Sequence, residues 1–225
     1  LGDTLMRYSV RVDLVPRRTA LAAALAFALS PLVLIWSRPA VSDSLLTGMH
    51  AISQLCQWRC YASGSGPRWW LAWIVLAFAV LTKGPVAVVL TGITLVLFAL
   101  IRRDLSGLWT SLRPLQGLVI TGLISLPWYA AELLVEGQPF WDSFFGYHNL
   151  QRLTSVVNDH LQPWWFFGPV LVVASFPFTP LLVFGLGRVI ADFAGGASSR
   201  RIPVRDSLGH FAGCWLLAGF LLFTA

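Results

Sequence analysis

The chain has 225 residues, of which 56% are hydrophobic and 12% are charged, and its formal net charge is +6. A soluble domain of this size needs a largely polar surface, and a chain this short cannot enclose so much apolar material in one core. The composition therefore excludes an ordinary soluble domain and predicts an all-α membrane protein. The three cysteines, Cys56, Cys60 and Cys214, lack zinc-ligand spacing, so we interpret them as apolar filler.

Apolar runs follow one another along the chain and, with one polar helix, predict a polytopic transmembrane helix bundle of about seven membrane segments. A bilayer core requires about 20 helical residues per crossing. The stretch from Trp69 to Ile101 is too long for one crossing and is interrupted by Lys83-Gly84-Pro85, which predicts two helices meeting at a turn. The runs are Thr19–Trp36, Trp69–Thr82, Val86–Ile101, Leu115–Leu134, Pro163–Gly187 and Phe211–Ala225.

A further helix is predicted from Ser44 to Trp58, where polar residues recur at spacings of 4, 3, 4 and 3. This spacing places them on one helix face, opposite a set of apolar residues. In a membrane such a stripe faces the bundle interior or a wet cavity, and the alternative is a helix lying in the membrane interface. The polar residues are Asp43, Thr47, His50, Gln54 and Gln57, and the apolar ones are Leu45, Met49, Ile52 and Leu55.

The positive charges fall mainly on one side if the segments alternate across a bilayer. That side receives 13 of the 16 Lys and Arg residues, and the positive-inside rule makes it cytoplasmic. The net charge is thus explained by topology and not by nucleic-acid binding. Only Arg38, Lys83 and Arg152 remain on the outer side. The inner set is Arg7, Arg11, Arg17, Arg18, Arg59, Arg68, Arg102, Arg103, Arg113, Arg188, Arg200, Arg201 and Arg205.

Two outer-side motifs lie next to predicted helices. Asp43, five residues after Arg38, is either a cap at the start of its helix or a carboxylate at the edge of a substrate cavity. Lys83 is either a lysine extending to the interface or a phosphate ligand. A lysine beside a glycine turn lets its ammonium and backbone N–H groups approach one anion together.

The longest outer-side loop is predicted over residues 132–162. If its middle is helical, His148 and Arg152 share one face at positions i and i+4. Arginine offers a fork to phosphate oxygens, and histidine can donate beside it or bind a metal. The aromatic residues of the loop are typical of a membrane interface.

These motifs resemble those of bacterial GT-C glycosyltransferases, which include the aminoarabinose transferases of lipid A and the protein O-mannosyltransferases. Leu81-Thr82-Lys83-Gly84-Pro85 is similar to that family's lysine turn, and Arg38 with Asp43 is similar to its acidic outer loop. The long-loop elements are Phe144-Phe145, His148, Asn149, Arg152, His160 and Pro163-Trp164-Trp165.

The resemblance implies sugar transfer from a polyprenyl-phosphate carrier to a lipid, protein or glycan acceptor at the outer leaflet of a bacterial inner membrane. It implies that Lys83, Arg152 and His148 bind the donor phosphate and that Asp43 is a secondary acid. Further cavity residues would be Arg38, Asn149, His160 and Trp164. The family's principal carboxylate is expected upstream of Leu1, so residues 1–225 are interpreted as an inactive fragment of one transmembrane domain.

Other interpretations stay open. A transporter, or a carrier-lipid-binding protein without transferase activity, shares the helical architecture, although a transporter predicts ionisable groups near the bilayer midplane. A scaffold without activity leaves the long loop unexplained. A divalent metal would need His148 or His160 together with an upstream acid, and the chain holds no full ligand set.

Overall fold

The computed structural model describes residues 17–37, 42–64, 68–138, 166–194 and 207–224. Within these ranges the chain is helical and contains no strand, which confirms the predicted all-α class. The helices are α1 (Arg17–Ala28), α2 (Pro31–Ser37), α3 (Ser42–Ser63), α4 (Trp69–Lys83), α5 (Val86–Arg102), α6 (Leu105–Leu112), α7 (Pro114–Glu136), α8 (Phe167–Ala174), α9 (Thr179–Ala194) and α10 (Leu208–Thr224).

Helix α4 lies at the centre of the described bundle and packs against α3, α5 and α7, while α5 also packs against α10. Trp73 on α4 donates from Nε1 to the carbonyl of Leu112 at 2.9 Å. The hydroxyl of Thr121 on α7 donates to the carbonyl of Trp73 at 3.1 Å. Aromatic edge contacts join Phe98 on α5 to Phe211 on α10. The two hydrogen bonds hold α6 and α7 against α4, and the aromatic contact holds α10 against α5.

Large apolar side chains cover much of the described surface, while several polar side chains lie inside the bundle. Leu123 and Leu134 on α7 are 71% and 87% exposed, whereas His50, Gln54 and Gln57 on α3 are buried. Such a surface fits lipid and not water, so the structure supports a membrane protein. The predicted inward orientation of the α3 stripe is confirmed at these three buried positions.

The number of membrane crossings is not confirmed by the helix lengths. One described segment, Leu105–Glu136, which joins α6 and α7, is long and apolar enough to cross a bilayer. Four other described apolar stretches have 10–17 residues: Arg18–Ala28, Trp69–Lys83, Val86–Arg102 and Leu208–Leu222. The structure therefore supports the helical class but not the predicted count of seven.

Two predicted single helices are broken, and both breaks lie at proline. The run Thr19–Trp36 divides into α1 and α2 at Pro31, which lacks an amide hydrogen and would clash with the carbonyl four residues earlier. Ser30 instead donates its hydroxyl to the Ala26 carbonyl at 2.8 Å. The described part of Pro163–Gly187 divides into α8 and α9 around Pro177 for the same reason.

Several boundaries also differ from the predictions. Helix α3 extends beyond the predicted Ser44–Trp58 at both ends, and α7 continues to Glu136, so the loop predicted from residue 132 begins later. Helix α7 ends where Gly137 adopts a φ of 66° and donates its N–H to Leu133 at 3.0 Å. The short helix α6 was not predicted.

The bundle has two chemically distinct ends. Because α3 and α4 are antiparallel, the start of α3 and the end of α4 meet at one end, where Asp43 contacts Lys83. At the opposite end Tyr61 contacts Asp104. We call this opposite end the basic end, because its described residues include Arg59, Arg68, Arg102, Arg103 and Arg113.

Candidate functional site

Lys83 occupies the junction between α4 and α5. Gly84 adopts a φ of 97°, a left-handed region that glycine tolerates, and donates its N–H to the Val80 carbonyl at 2.7 Å. The Pro85 carbonyl then accepts the N–H groups of Val88 and Val89 at 2.9 and 3.1 Å and starts α5. The predicted turn is confirmed, and it leaves the Lys83 ammonium at the end of the bundle.

A second contact anchors this end of α4. The hydroxyl of Tyr129, on α7, donates to the Val80 carbonyl at 2.6 Å. Val80 therefore accepts hydrogen bonds from both Tyr129 and Gly84, one turn before Lys83. The turn that carries the lysine is thus held by a neighbouring helix as well as by its own backbone.

The structure brings Asp43 and Lys83 together, although the chain separates them by 40 residues. Asp43 lies in the first turn of α3. Its Oδ1 forms an ion pair with Lys83 Nζ, and the two side chains remain 50% and 38% exposed. The carboxylate therefore binds the lysine while both charges stay accessible. The sequence placed both residues on the outer side of the membrane but did not predict that they form an ion pair.

A buried polar network lies below this ion pair and connects α3 with α5. His50 Nε2 is 3.1 Å from the Thr91 hydroxyl and 3.2 Å from Gln54 Nε2. Gln54 Nε2 is also 3.4 Å from Thr91 Oγ1, and His50 has a backbone hydrogen bond to Ala87. If the other ring nitrogen donates to the Ala87 carbonyl, Nε2 can accept from Gln54 and Thr91.

This network fixes the position of α5 along α3, on which the contact between Asp43 and Lys83 depends. His50 follows Asp43 by seven residues, which is two helical turns, and Ala87 follows Lys83 by four. Holding His50 against the first turn of α5 therefore holds Asp43 beside Lys83. The polar stripe pointed to this face, but its contacts with Thr91 required the packing of α5.

An apolar cavity of about 830 Å³ opens on the other side of the network. Its lining is entirely apolar or glycine and comes from α1, α2, α8, α9 and α10. Trp215 lines the cavity, and its ring centroid is 5.5 Å from that of His50. Such a cavity fits hydrocarbon and not a sugar.

The other predicted site residues lie outside the described residues, so the structure tests neither their grouping nor their roles. Among the residues it describes, no group of three His, Cys, Asp or Glu side chains is placed to hold a metal ion. Both histidines named for a metal also lie outside this part. The residues concerned are Arg38, His148, Asn149, Arg152, His160 and Trp164.

The sequence profile of the dolichyl-phosphate-mannose-protein mannosyltransferase family matches residues 4–141, which include Asp43 and Lys83. An uncharacterized protein of Aquifex aeolicus is 31% identical over 96% of this chain and 45% of its own length. The undecaprenyl phosphate-alpha-4-amino-4-deoxy-L-arabinose arabinosyl transferase of Pseudomonas aeruginosa is 30% identical over 92% of this chain and 36% of its own.

A further relative is the arabinosyl transferase 1 of the same description from Sodalis glossinidius, 30% identical over 71% of this chain and 26% of its own. The chain thus spans less than half the length of these relatives. No solved structure matches the chain.

Proposed function

Since the chain belongs to the dolichyl-phosphate-mannose-protein mannosyltransferase family, we propose that the intact protein is a membrane glycosyltransferase. It moves a sugar from a polyprenyl-phosphate carrier to a lipid, protein or glycan acceptor. The relatives that are named as undecaprenyl-phosphate arabinosyl transferases suggest an aminoarabinose donor and a bacterial inner membrane.

The observation that carries this proposal is the Asp43–Lys83 pair. Lys83 is the one lysine among the 16 basic residues, and it lies at the end of the bundle opposite Arg59, Arg68 and Arg113. By the positive-inside rule the basic end faces the cytoplasm, so the pair faces the periplasm. A lysine kept at that end, half-exposed beside a glycine turn, fits an anionic ligand.

The chemistry assigns each residue a role. The leaving group is a carrier phosphate, and negative charge develops on its oxygens as the glycosidic bond breaks. Fixed cations aimed at those oxygens stabilise the transition state more than the bound donor. We assign Lys83, Arg152 and His148 to the donor phosphate. Arg38, Asn149, His160 and Trp164 are assigned to the rest of the substrate cavity.

Asp43 is assigned a secondary acidic role near the sugar or acceptor. Its carboxylate neutralises Lys83 when no donor is bound, so an incoming phosphate competes with it for the ammonium. A carboxylate released in this way can accept a hydrogen bond from a sugar or acceptor hydroxyl. A principal catalytic carboxylate outside these 225 residues remains a prediction.

The test is transfer of a labelled sugar from polyprenyl-phosphate aminoarabinose, with polyprenyl-phosphate mannose in parallel, by the intact protein in membranes. Lys83→Ala and Arg152→Ala should each lower transfer by about 100-fold or more, the usual cost of removing a group that stabilises transition-state charge. Arg68→Ala, which removes an exposed charge at the basic end, is the matched control.

Near-normal transfer by both Lys83→Ala and Arg152→Ala at wild-type membrane levels would remove their phosphate roles. Carrier binding by the wild type without transfer of either sugar would favour the alternative, a carrier-lipid-binding protein or transporter. Asp43 and Lys83 lie at the ends of their helices and not midway along them, which favours the transferase.

A further inference from the structure

Helix α6 bridges the basic end of the bundle. Just before it begins, Asp104 accepts a hydrogen bond from the Tyr61 hydroxyl, at the end of α3, at 2.9 Å. At its other end the Leu112 carbonyl accepts from Trp73, near the start of α4. Leu108 and Leu112 are buried in the core between these contacts. The helix is therefore held across the ends of α3 and α4 by one of its faces.

The rest of α6 divides into an apolar and a polar sector. Leu105 and Trp109, one turn apart, are 62% and 55% exposed. Ser106 and Thr110, the next such pair, are also exposed. At about 100° per residue, the Leu105–Trp109 sector lies between the buried face and the Ser106–Thr110 sector. This three-sector pattern is that of a helix at a membrane surface, with acyl chains beside its apolar sector and water beside its polar one.

Exposed arginines border the helix at both ends. Arg103 and Arg113 have φ values of 50° and 48°, a left-handed conformation that is uncommon for residues with side chains. The Arg113 guanidinium lies 5.4 Å from the centre of the Trp69 ring and is still exposed. The carboxylate between them, Asp104, accepts bonds from Tyr61 and from the Gly107 N–H. Residues 102–113 hold three arginines and one carboxylate, so this segment carries a net positive charge.

We propose that α6 binds the headgroups of anionic glycerophospholipids through Arg103 and Arg113, with Leu105 and Trp109 inserted among the acyl chains. Charge complementarity selects this ligand, because arginines at a membrane surface attract anionic lipids and tryptophan favours the interface. Leu115, in the first turn of the following helix, is also 65% exposed. The inference rests on membrane insertion and not on glycosyl transfer.

The experiment measures lipid binding to the intact, detergent-solubilised protein by native mass spectrometry, with phosphatidylglycerol, cardiolipin and phosphatidylcholine as probes. Arg103→Asn/Arg113→Asn should bind the two anionic lipids about thirtyfold more weakly, because each arginine near an anionic surface contributes about fivefold. Asparagine tolerates the left-handed conformation, so this variant keeps the backbone. The control, Arg59→Gln/Arg68→Gln, removes two exposed arginines from the same end and should retain most of the binding.

Anionic-lipid binding that is unchanged in Arg103→Asn/Arg113→Asn, or lowered equally in the control, would overturn the proposal. A second measurement identifies what covers the apolar sector. A photoreactive benzoylphenylalanine in place of Trp109 should crosslink to phosphatidylglycerol in vesicles of phosphatidylglycerol and phosphatidylethanolamine. Crosslinking to polypeptide instead would show that protein covers α6, and the proposal would fail.

Discussion

The Asp43–Lys83 pair is expected to contribute little to stability. Both side chains are substantially exposed, and ion pairs of this kind contribute about 0–1 kcal/mol. We therefore expect Asp43→Asn and Lys83→Met each to lower the free energy of unfolding of the intact protein by less than about 1 kcal/mol. Thermal unfolding in detergent should show only small shifts in Tm for both variants, whatever happens to transfer.

Asp104 supplies the matched control for this prediction, because it is also a carboxylate at a helix start. Its two oxygens accept from the Tyr61 hydroxyl and from the Gly107 N–H, both at 2.9 Å. Losing a cap and a hydrogen bond at a partly buried position costs about 1–3 kcal/mol. Asp104→Ala removes both acceptors, so a larger destabilisation by Lys83→Met than by Asp104→Ala would contradict a mainly functional role for the ion pair.

At the same scale, the sequence predicted the helix positions of Lys83 and Asp43 but not the contact between them. Local signals identified Lys83 from its glycine turn and Asp43 from its helix start. Their pairing depends on how far α4 is shifted along α3, and no spacing within either helix sets that shift. The same limit applies to His50 and Thr91: the polar stripe predicted which face of α3 is inward, but not which residue of α5 meets it.

At the scale of the elements, the close approach of α7 to α4 depends on a glycine. A Cβ at Gly117 would overlap the indole ring of Trp73, which is buried and hydrogen-bonded to Leu112 and so cannot turn away freely. Overpacking of a core costs about 1–3 kcal/mol. We therefore expect Gly117→Ala to lower the free energy of unfolding by about that amount, measured by thermal unfolding of the intact protein.

Gly122, on the same helix, provides the comparison. A Cβ there would meet Leu126 Cδ1 at 3.5 Å, an ordinary van der Waals contact. Alanine is favoured over glycine within a helix by up to about 1 kcal/mol. Gly122→Ala should therefore leave stability unchanged or raise it. Equal losses for both substitutions would show that helix flexibility, and not contact with Trp73, explains the requirement at Gly117.

The sequence predicted which segments are helical more reliably than where the helices break. Continuous apolar character joined Thr19 to Trp36 because hydropathy does not register the missing amide of Pro31. Helix α6 was not predicted because its apolar residues are interrupted by polar ones and form no continuous apolar run. A local signal was nevertheless present: Asp104 precedes the helix and caps the N–H of Gly107 three residues later.

At the scale of the whole molecule, the low hydropathy of α3 argues against a membrane crossing, whereas its length and packing favour one. Its 22 residues would extend about 33 Å as a helix, enough to cross a bilayer core of about 30 Å. His50, Gln54 and Gln57 lower its hydropathy, yet all three are buried inside the bundle. The lipid-facing side presents Leu45, Ile52 and Leu55, each about half exposed. Low mean hydropathy therefore does not exclude a membrane crossing by α3, because these three polar residues are buried in the bundle.

We accordingly expect α3 to cross the membrane, with its start in the periplasm. Ser42 and Ser63, both exposed, mark its two ends. In the intact protein with Cys56, Cys60 and Cys214 replaced, Ser42→Cys should react with an impermeant maleimide in intact cells. Ser63→Cys should react only after the inner membrane is permeabilised. Reaction of both positions from the periplasm would place α3 in the membrane interface. The Asp43–Lys83 end and the basic end would then not lie on opposite sides of the bilayer. Reaction of Ser63→Cys alone would invert the topology and move the proposed donor site to the cytoplasmic face.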